Sequence, residues 1–480
     1  MVILSLLGCS LTTYDQIPCE SHGTCREAFG LNWTCGDEGL CSERDPHTRC
    51  TSTWPDDLWI RPEDYRDRVL LASMFDHTTD TPEVYAVRLP VIQLEDQGGL
   101  DGTDFAVIEC TYEETTSLDG LDGASAAAEV SSYLVDELGV KAIIGPKTSG
   151  QTTVVYETVG DRDMVVISPS ATSPALTTID GAVKTDQDPG NLWRTAPPDS
   201  LQGLAVAREL DARGTGKVVV VYQTGPYGEG LKEVFLESYQ GVASEQEYLS
   251  ASDVPDIATA LPSEHPDVDT VFFISSEVAE IAEFLNAAAE GNNLQRWRNI
   301  QIFLADGAAQ AYVLDNTENE LYGNILGSRP SVTQGLVYDG FAASYAATFP
   351  GRDSTDAVYT SYAFDATWLA IYGATWSHFN EGEISGLGIA RGLRKVSSGE
   401  ELEIRPTNWN PVKAQFKAGN GIDVLGASGE LDFDPVTEET TAPIEIWRID
   451  QGGTRFEVCR TWCWDEGEAY DCQVQDVSCE

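Results

Sequence analysis

The sequence predicts an α/β protein with parallel sheets arranged in two lobes. Three observations predict it. From Val69 onward, short apolar runs rich in branched residues alternate with helical stretches, the pattern of strands feeding helices. The chain has 480 residues, more than one sheet and one core hold comfortably. The segment VKAIIGPKTSGQTTVVYETVGDRDMVVISPSATSPALT, Val140 to Thr177, reads as strand, polar loop, helix, strand, polar loop.

In chain order, residues 1–9 are apolar and end in Leu6-Leu7-Gly8-Cys9, which resembles a bacterial lipoprotein signal whose Cys9 takes the lipid. No Lys or Arg precedes the apolar run, so the natural start is expected upstream of Met1. Residues 10–54 hold five cysteines, Cys19, Cys25, Cys35, Cys41 and Cys50, and read as a Cys-rich module. Residues 55–68 are a charged linker, and residues 453–480 are a second Cys-rich segment with Cys459, Cys463, Cys472 and Cys479. No CxxC pair occurs, so disulfides in an oxidising compartment are favoured over zinc. With Cys9 lipidated, ten cysteines remain. Four pair within the tail, and the five of the head need Cys110 as a sixth, which assigns a bridge from Cys50 to Cys110.

Between these ends, strands are expected at Val69–Phe75, Phe105–Cys110, Val140–Ile144, Met164–Ile167, Lys217–Tyr222, Val268–Ser275 and Ile300–Ala305. Helices are expected at Ala124–Leu138, Gly150–Val159, Ser200–Ala212, Gly228–Tyr239, Glu277–Glu290, Tyr338–Thr348 and Tyr359–Ser377. Gly160 suits a left-handed cap closing the helix before it. The two strands within Val140–Thr177 form a right-handed βαβ unit, so both following loops leave the same sheet edge. Those loops, Lys147-Thr148-Ser149-Gly150 and Ser170-Ala171-Thr172-Ser173, carry hydroxyls and backbone N–H groups at helix starts, a ready seat for a carboxylate. Ser149 and Ser173 also read as ordinary helix N-caps, a role that leaves the backbone donors available.

The charge is extreme: 29 basic against 78 acidic residues, net −49. Nucleic acid, which demands a basic surface, is excluded as a partner. With 42% hydrophobic residues the chain is folded, and the charge reads as a highly hydrated, salt-tolerant surface. No run of 18 apolar residues occurs, so the membrane is reached through the lipid anchor only. Catalysis is not expected: G-x-S-x-G, H-E-x-x-H and Walker sequences are absent, and the five His are scattered. Asp119-Gly-Leu-Asp122-Gly lacks the ligand spacing of a calcium loop, and no metal or cofactor is expected.

Five stretches carry a family resemblance: LEDQGGLDGTDFAVIEC (Leu94–Cys110), AIIGPKTSGQT, VVISPSATSPALT, Tyr227-Gly228-Glu229-Gly230-Leu231 after VVVVY, and GASGELDFD (Gly426–Asp434). In this order they resemble a type I periplasmic solute-binding protein, in the branch of branched-chain amino-acid-binding proteins of ABC importers. The resemblance implies two Rossmann-like lobes joined by a three-strand hinge, with the ligand between them. It places lobe 1 at residues 69–196 and 330–420 and lobe 2 at residues 197–329 and 421–452. The crossings fall near Thr195–Pro198, Leu326–Pro330 and Ala418–Ile422. It implies that Ser149 holds a ligand carboxylate, that Ser170, Ala171 and Thr172 bind carboxylate and α-amino group, that Tyr227 covers the ligand, and that Asp306 pairs with its ammonium. Two segments depart from the family, Asp76-His77-Thr78-Thr79-Asp80 and Ile274-Ser275-Ser276-Glu277, both where a ligand side chain would lie; Glu277 admits a polar or cationic ligand. The implied function is capture of a small amino-acid-like solute for an ABC permease. A surface sensor or envelope-assembly protein on the same scaffold is the alternative, favoured by the terminal Cys-rich segments.

Overall fold

The branched apolar runs become the buried strands of two separate sheets, each with its own core. The computed structural model describes residues 17–113, 118–317, 319–331, 335–450, 452–465 and 468–474. Cys9 lies outside the described residues. The first sheet has six strands in the order Ser52–Trp54, Phe105–Thr111, Val69–Phe75, Ala142–Ile144, Val165–Ser168 and Leu192–Arg194, all parallel except the first. The second has eight, in the order Val242–Tyr248, Lys217–Gln223, Thr270–Ile274, Gln301–Leu304, Ile325–Pro330, Ile444–Ile449, Phe456–Asp465 and Glu468–Val474. Its first five strands are parallel and the rest antiparallel. Parallel strands need crossovers, so helices cover both sheets, and every parallel strand points its carboxyl end to the same edge.

The structure relocates several elements. Ser52–Trp54, placed by sequence in the Cys-rich module, is the antiparallel edge strand of the first sheet. The module proper is the helix His22–Phe29 with the hairpin Trp33–Cys35/Cys41–Glu43, stapled by Cys19–Cys35 and Cys25–Cys41. The tail does not stand apart as residues 453–480 suggested: Phe456–Asp465 and Glu468–Val474 extend the second sheet, because their main-chain groups pair with the preceding strand and Trp462 is buried against the second lobe. Cys463–Cys472 ties these two strands together. The third crossing is later than Ala418–Ile422. Ile422, Val424, Leu431 and Phe433 are buried in the first core, and Asp365 fastens the Gly426–Gly429 turn by accepting from the N–H groups of Ala427 (2.9 Å) and Ser428 (2.7 Å). The chain therefore crosses at Glu439–Thr440, beside the first crossing at Thr195, whose carbonyl accepts from Thr440 Oγ1 at 3.2 Å.

Two local readings also change. Gly160 is right-handed, φ −64°; it is small because a Cβ there would lie 2.5 Å from the Tyr156 carbonyl oxygen and 2.9 Å from the Tyr156 ring. The N-cap of the helix Ser149–Val159 is Thr148, which accepts from Gln151 N, leaving Ser149 one residue inside. Sequence reading also missed the helix Thr81–Asp96, whose pattern Pro82 and Pro90 interrupt, and the polar edge strand Val242–Tyr248.

The head of the chain is bolted to the first sheet. Cys50 is disulfide-bonded to Cys110 at the end of a central strand, and buried Arg49 forks onto Asp119 at 2.6 and 2.7 Å. Asp122 caps the next helix through Ser125 N at 2.8 Å, so both carboxylates of the Asp119–Gly123 loop are engaged by protein groups. The Cys50–Cys110 bridge closes a 60-residue separation. Replacing both residues by alanine is expected to lower stability by about 3–4 kcal/mol, read from urea denaturation. Non-reduced peptide mapping that finds Cys110 as a free thiol would contradict the linkage.

Candidate functional site

The carboxyl edges of the two sheets face each other across a cleft of about 670 Å³. The first lobe contributes Asp76, Thr79 and Asp80 from the loop after Val69–Phe75, Tyr112 after Phe105–Thr111, and Lys147, Thr148 and Gln151 after Ala142–Ile144. The second contributes Gln223 to Gly228, Leu249 to Ser252, and Ser276 to Glu280. Loops at strand carboxyl ends hold these groups because the sheets below are rigid.

Beneath the cleft lies a smaller pocket of about 30 Å³, lined by Ser149, Ser170, Tyr227, Asp306, Gln310 and Tyr359 among others. Four of the six residues assigned to ligand binding thus converge from both lobes. Ala171 and Thr172 sit behind this pocket: the Ala171 N–H donates to Ser168 Oγ at 3.0 Å, and the Thr172 carbonyl accepts from Asp199 N at 2.8 Å. The pocket holds roughly one or two waters and no amino acid as it stands. Its groups are turned on one another. Ser149 Oγ accepts from Ser173 N (3.2 Å), Ser170 Oγ donates to the Lys147 carbonyl (2.9 Å), and Ser173 Oγ donates across the cleft to the Pro226 carbonyl (2.6 Å).

Asp306 is the charged centre of the pocket. It is 4% exposed and starts a short turn after Gln301–Leu304. Its carboxylate accepts from Tyr227 Oη (2.5 Å), Tyr359 Oη (2.5 Å) and Gln202 Nε2 (3.0 Å). Burial and then the Asp306 charge push both phenols well above their ordinary range, so they remain donors. Asp199 lies close by, fully buried against Thr172; burial and then the Asp306 charge push its carboxyl up as well. Of the two carboxyls, Asp306 is the one held by three donors.

Lys147 joins the two compartments. Its Nζ is 2.7 Å from Asp80 and 3.4 Å from Glu83, and its N–H donates to Tyr112 Oη at 3.2 Å. Burial alone would lower its pKa; the carboxylates of Asp80 and Glu83 outweigh burial and raise it. Asp80 takes the closer contact. Glu83, with no hydrogen bond to its buried oxygens, is left to burial, which pushes it up to about 7 against the Lys147 charge. Sequence reasoning named Lys147 only as a loop residue and missed Asp80 as its partner, together with Tyr112, Gln310 and Tyr359. The signal for Asp80 was thin: a lone lysine in a loop at the carboxyl edge of a sheet calls for a carboxylate somewhere in the fold.

Among the described residues, no histidine or cysteine lines the cleft or the inner pocket. His77, between the lining residues Asp76 and Thr79, has its pKa lowered by burial. The trio Cys19, Cys25 and Cys35, whose sulfurs lie close enough to hold an ion, is consumed by two disulfides.

A family model described as the receptor family ligand binding region matches residues 86–451. The chemotactic signal transduction system substrate-binding protein BasB of Halobacterium salinarum is 23% identical over 390 residues, covering 77% of this chain and 83% of BasB. The crystal structure of the branched-chain amino acid transporter substrate binding protein LivJ from Streptococcus pneumoniae, in complex with isoleucine, has the same fold, with a TM-score of 0.63, 21% identity, and coverage of 84% of this chain and 99% of LivJ. An ABC transporter solute binding protein from R. palustris, in complex with 4-hydroxybenzoate, matches with a TM-score of 0.61 and 12% identity over 86% of this chain and 97% of that one.

Lys147→Met strands Asp80 and Glu83 without a counter-charge and is expected to cost about 3–5 kcal/mol at neutral pH. A buried carboxyl with a raised folded-state pKa contributes fully below its unfolded pKa and loses stability as pH rises through the folded value, here about 7 for Glu83 even with Lys147 present. The deficit of the variant should therefore be larger at pH 8 than at pH 5 in urea melts. An equal deficit at both would show that Lys147 acts through packing.

Proposed function

This chain belongs to the family of receptor ligand-binding regions, and we propose that within it the chain is an extracytoplasmic solute-binding protein that closes on a small amino-acid-like ligand for delivery to an ABC permease. The observation that carries this reading is Asp306, a buried carboxylate at the meeting of the two lobes, with Ser149 and Ser170 lining the same pocket. A carboxylate suits an ammonium, and hydroxyls at the start of the helix Ser149–Val159 suit a carboxylate. Tyr227 and Tyr359 occupy Asp306 when no ammonium does; opening of the lobes would break the Ser173 Oγ contact to the Pro226 carbonyl and enlarge the pocket. Four disulfides among the described residues fit an oxidising compartment, and no described helix is long and apolar enough to cross a membrane. Anchoring through a lipid on Cys9 is part of the same proposal.

A second reading, a sensor that passes ligand occupancy to a signalling partner, is favoured by the similarity to BasB, a substrate-binding protein of a chemotactic signal transduction system. The two readings share the cleft and differ in the partner. Affinity capture with the closed, ligand-loaded protein that recovers permease subunits supports transport; recovery of signalling membrane proteins supports sensing.

Titration calorimetry with the twenty common amino acids tests the ligand class. At least one should bind, and Asp306→Ala should weaken it by about 1.5–3 kcal/mol, through loss of a charged hydrogen bond. No heat and no thermal stabilisation with any of them would remove the amino-acid reading.

A further inference from the structure

We propose that the ligand carries a cationic group on its side chain, and that Glu277, with Asp76 lining the same cleft from the other lobe, selects for that charge. The proposal rests on the reading of the cleft as the ligand site and specifies which solutes enter it.

Among the described residues that line the cleft, Lys147 is the one cation, and Asp80 and Glu83 pair with it. Glu280 accepts from Tyr248 Oη and Ser275 Oγ, both at 2.9 Å. Asp306 is held by two phenols and an amide. Two lining carboxylates remain. Glu277 makes no ion pair among the described residues; its carboxylate accepts only from Ser276 Oγ at 3.2 Å, and it is exposed to the cleft. Asp76 likewise makes no ion pair among the described residues, and its carboxylate accepts only from the Thr78 N–H (2.8 Å) and hydroxyl (2.6 Å).

Glu277 is held in place rather than waving in solvent. It precedes the helix Val278–Ala289, its N–H donates to Ser275 Oγ at 3.0 Å, and the neighbouring Ser276 donates through both N–H and Oγ to Gln223 Oε1 at 3.2 and 2.8 Å. The cleft walls, then the charges of Asp80 and Glu280, push Glu277 up to about 7, so the protein itself offers it little relief. The chain's large negative charge does not account for this arrangement. Surface carboxylates point into water, whereas Glu277 and the Asp76–Asp80 loop belong to opposite lobes and line one gap.

Closing the lobes would press these like charges together, which costs energy unless a cation lies between them. A neutral side chain leaves that cost standing, and a guanidinium or ammonium converts it into attraction. The room is sufficient: the outer cleft, at about 670 Å³, is far larger than the pocket below it. Its wall also offers Leu249, 76% exposed, as apolar surface for an aliphatic stem.

The test uses the whole folded chain and matched pairs of probes that differ in charge: arginine against citrulline, and lysine against norleucine. Calorimetry should show the cationic member of at least one pair binding about tenfold or more tightly, and Glu277→Gln should bring that pair to within about threefold. Asp76→Asn, scored separately, should narrow the same gap in part. Thermal unfolding of both variants confirms that they fold. Equal or tighter binding of the neutral members overturns the proposal and leaves the amino-acid reading of the cleft intact. A charge preference that survives in both variants also overturns it. Silence with all four probes and with the other common amino acids removes that reading, and this proposal with it.

Discussion

The joint on which the rest depends is the buried guanidinium of Arg194. It is 1% exposed, at the last residue of the first sheet's edge strand and at the first crossing between lobes. Its charge is met by Glu439 at the third crossing, through Nε at 3.1 Å and Nη2. Its other donors go to the carbonyls of Ala171 (3.0 Å) and Ser173 (2.8 Å) and to Thr177 Oγ1 (3.0 Å). A buried Arg is tolerated only when paired and fully hydrogen-bonded, so this one residue obliges two hinge strands and the loop Ser170–Ser173 to keep one geometry. The hinge and one wall of the inner pocket are thus a single structural unit. Lysine, with a point charge in place of a planar fork, could not serve all of these partners.

The cleft follows from the same economy. The parallel strands leave their carboxyl edges facing one another, and the residues that follow them are polar because no further strand covers them. What distinguishes this cleft is how its carboxylates are used. Asp80 and Glu83 pair with Lys147, Glu280 with a phenol and a hydroxyl, and Asp306 with Tyr227, Tyr359 and Gln202. In each case a charge inside the protein is compensated by the protein. Glu277 and Asp76 break that rule, and both lie in the segments where the sequence departs from the family it resembles.

Much of the fold was legible because its strands are short runs of Val, Ile and Phe that neither helix nor loop would bury so well. Lys217–Gln223 and Thr270–Ile274 declare themselves in this way. The helix Thr81–Asp96 did not, since two prolines obscure a pattern that packing against Thr360–Glu381 restores. Nor did the tail: its cysteines suggested a separate module, while its strand character depends on pairing with Ile444–Ile449, which sequence cannot show. The site divides along the same line. Ser149 and Ser170 lie on consecutive loops of one βαβ unit, so local pattern brings them together. Tyr359 reaches Asp306 across 53 positions of sequence, and Lys147 reaches Asp80 across 67. Those partnerships are products of tertiary packing, with no local trace.

The proposal joins the hinge pair, the filled inner pocket and the uncompensated outer carboxylates in a protein whose lobes move to admit a charged solute. Small-angle X-ray scattering of the full chain, with and without saturating arginine, tests this most directly. The account predicts that arginine reduces the radius of gyration by closing the lobes and narrows the distribution of long intramolecular distances. An unchanged scattering profile at an arginine concentration shown by calorimetry to saturate the protein would contradict it.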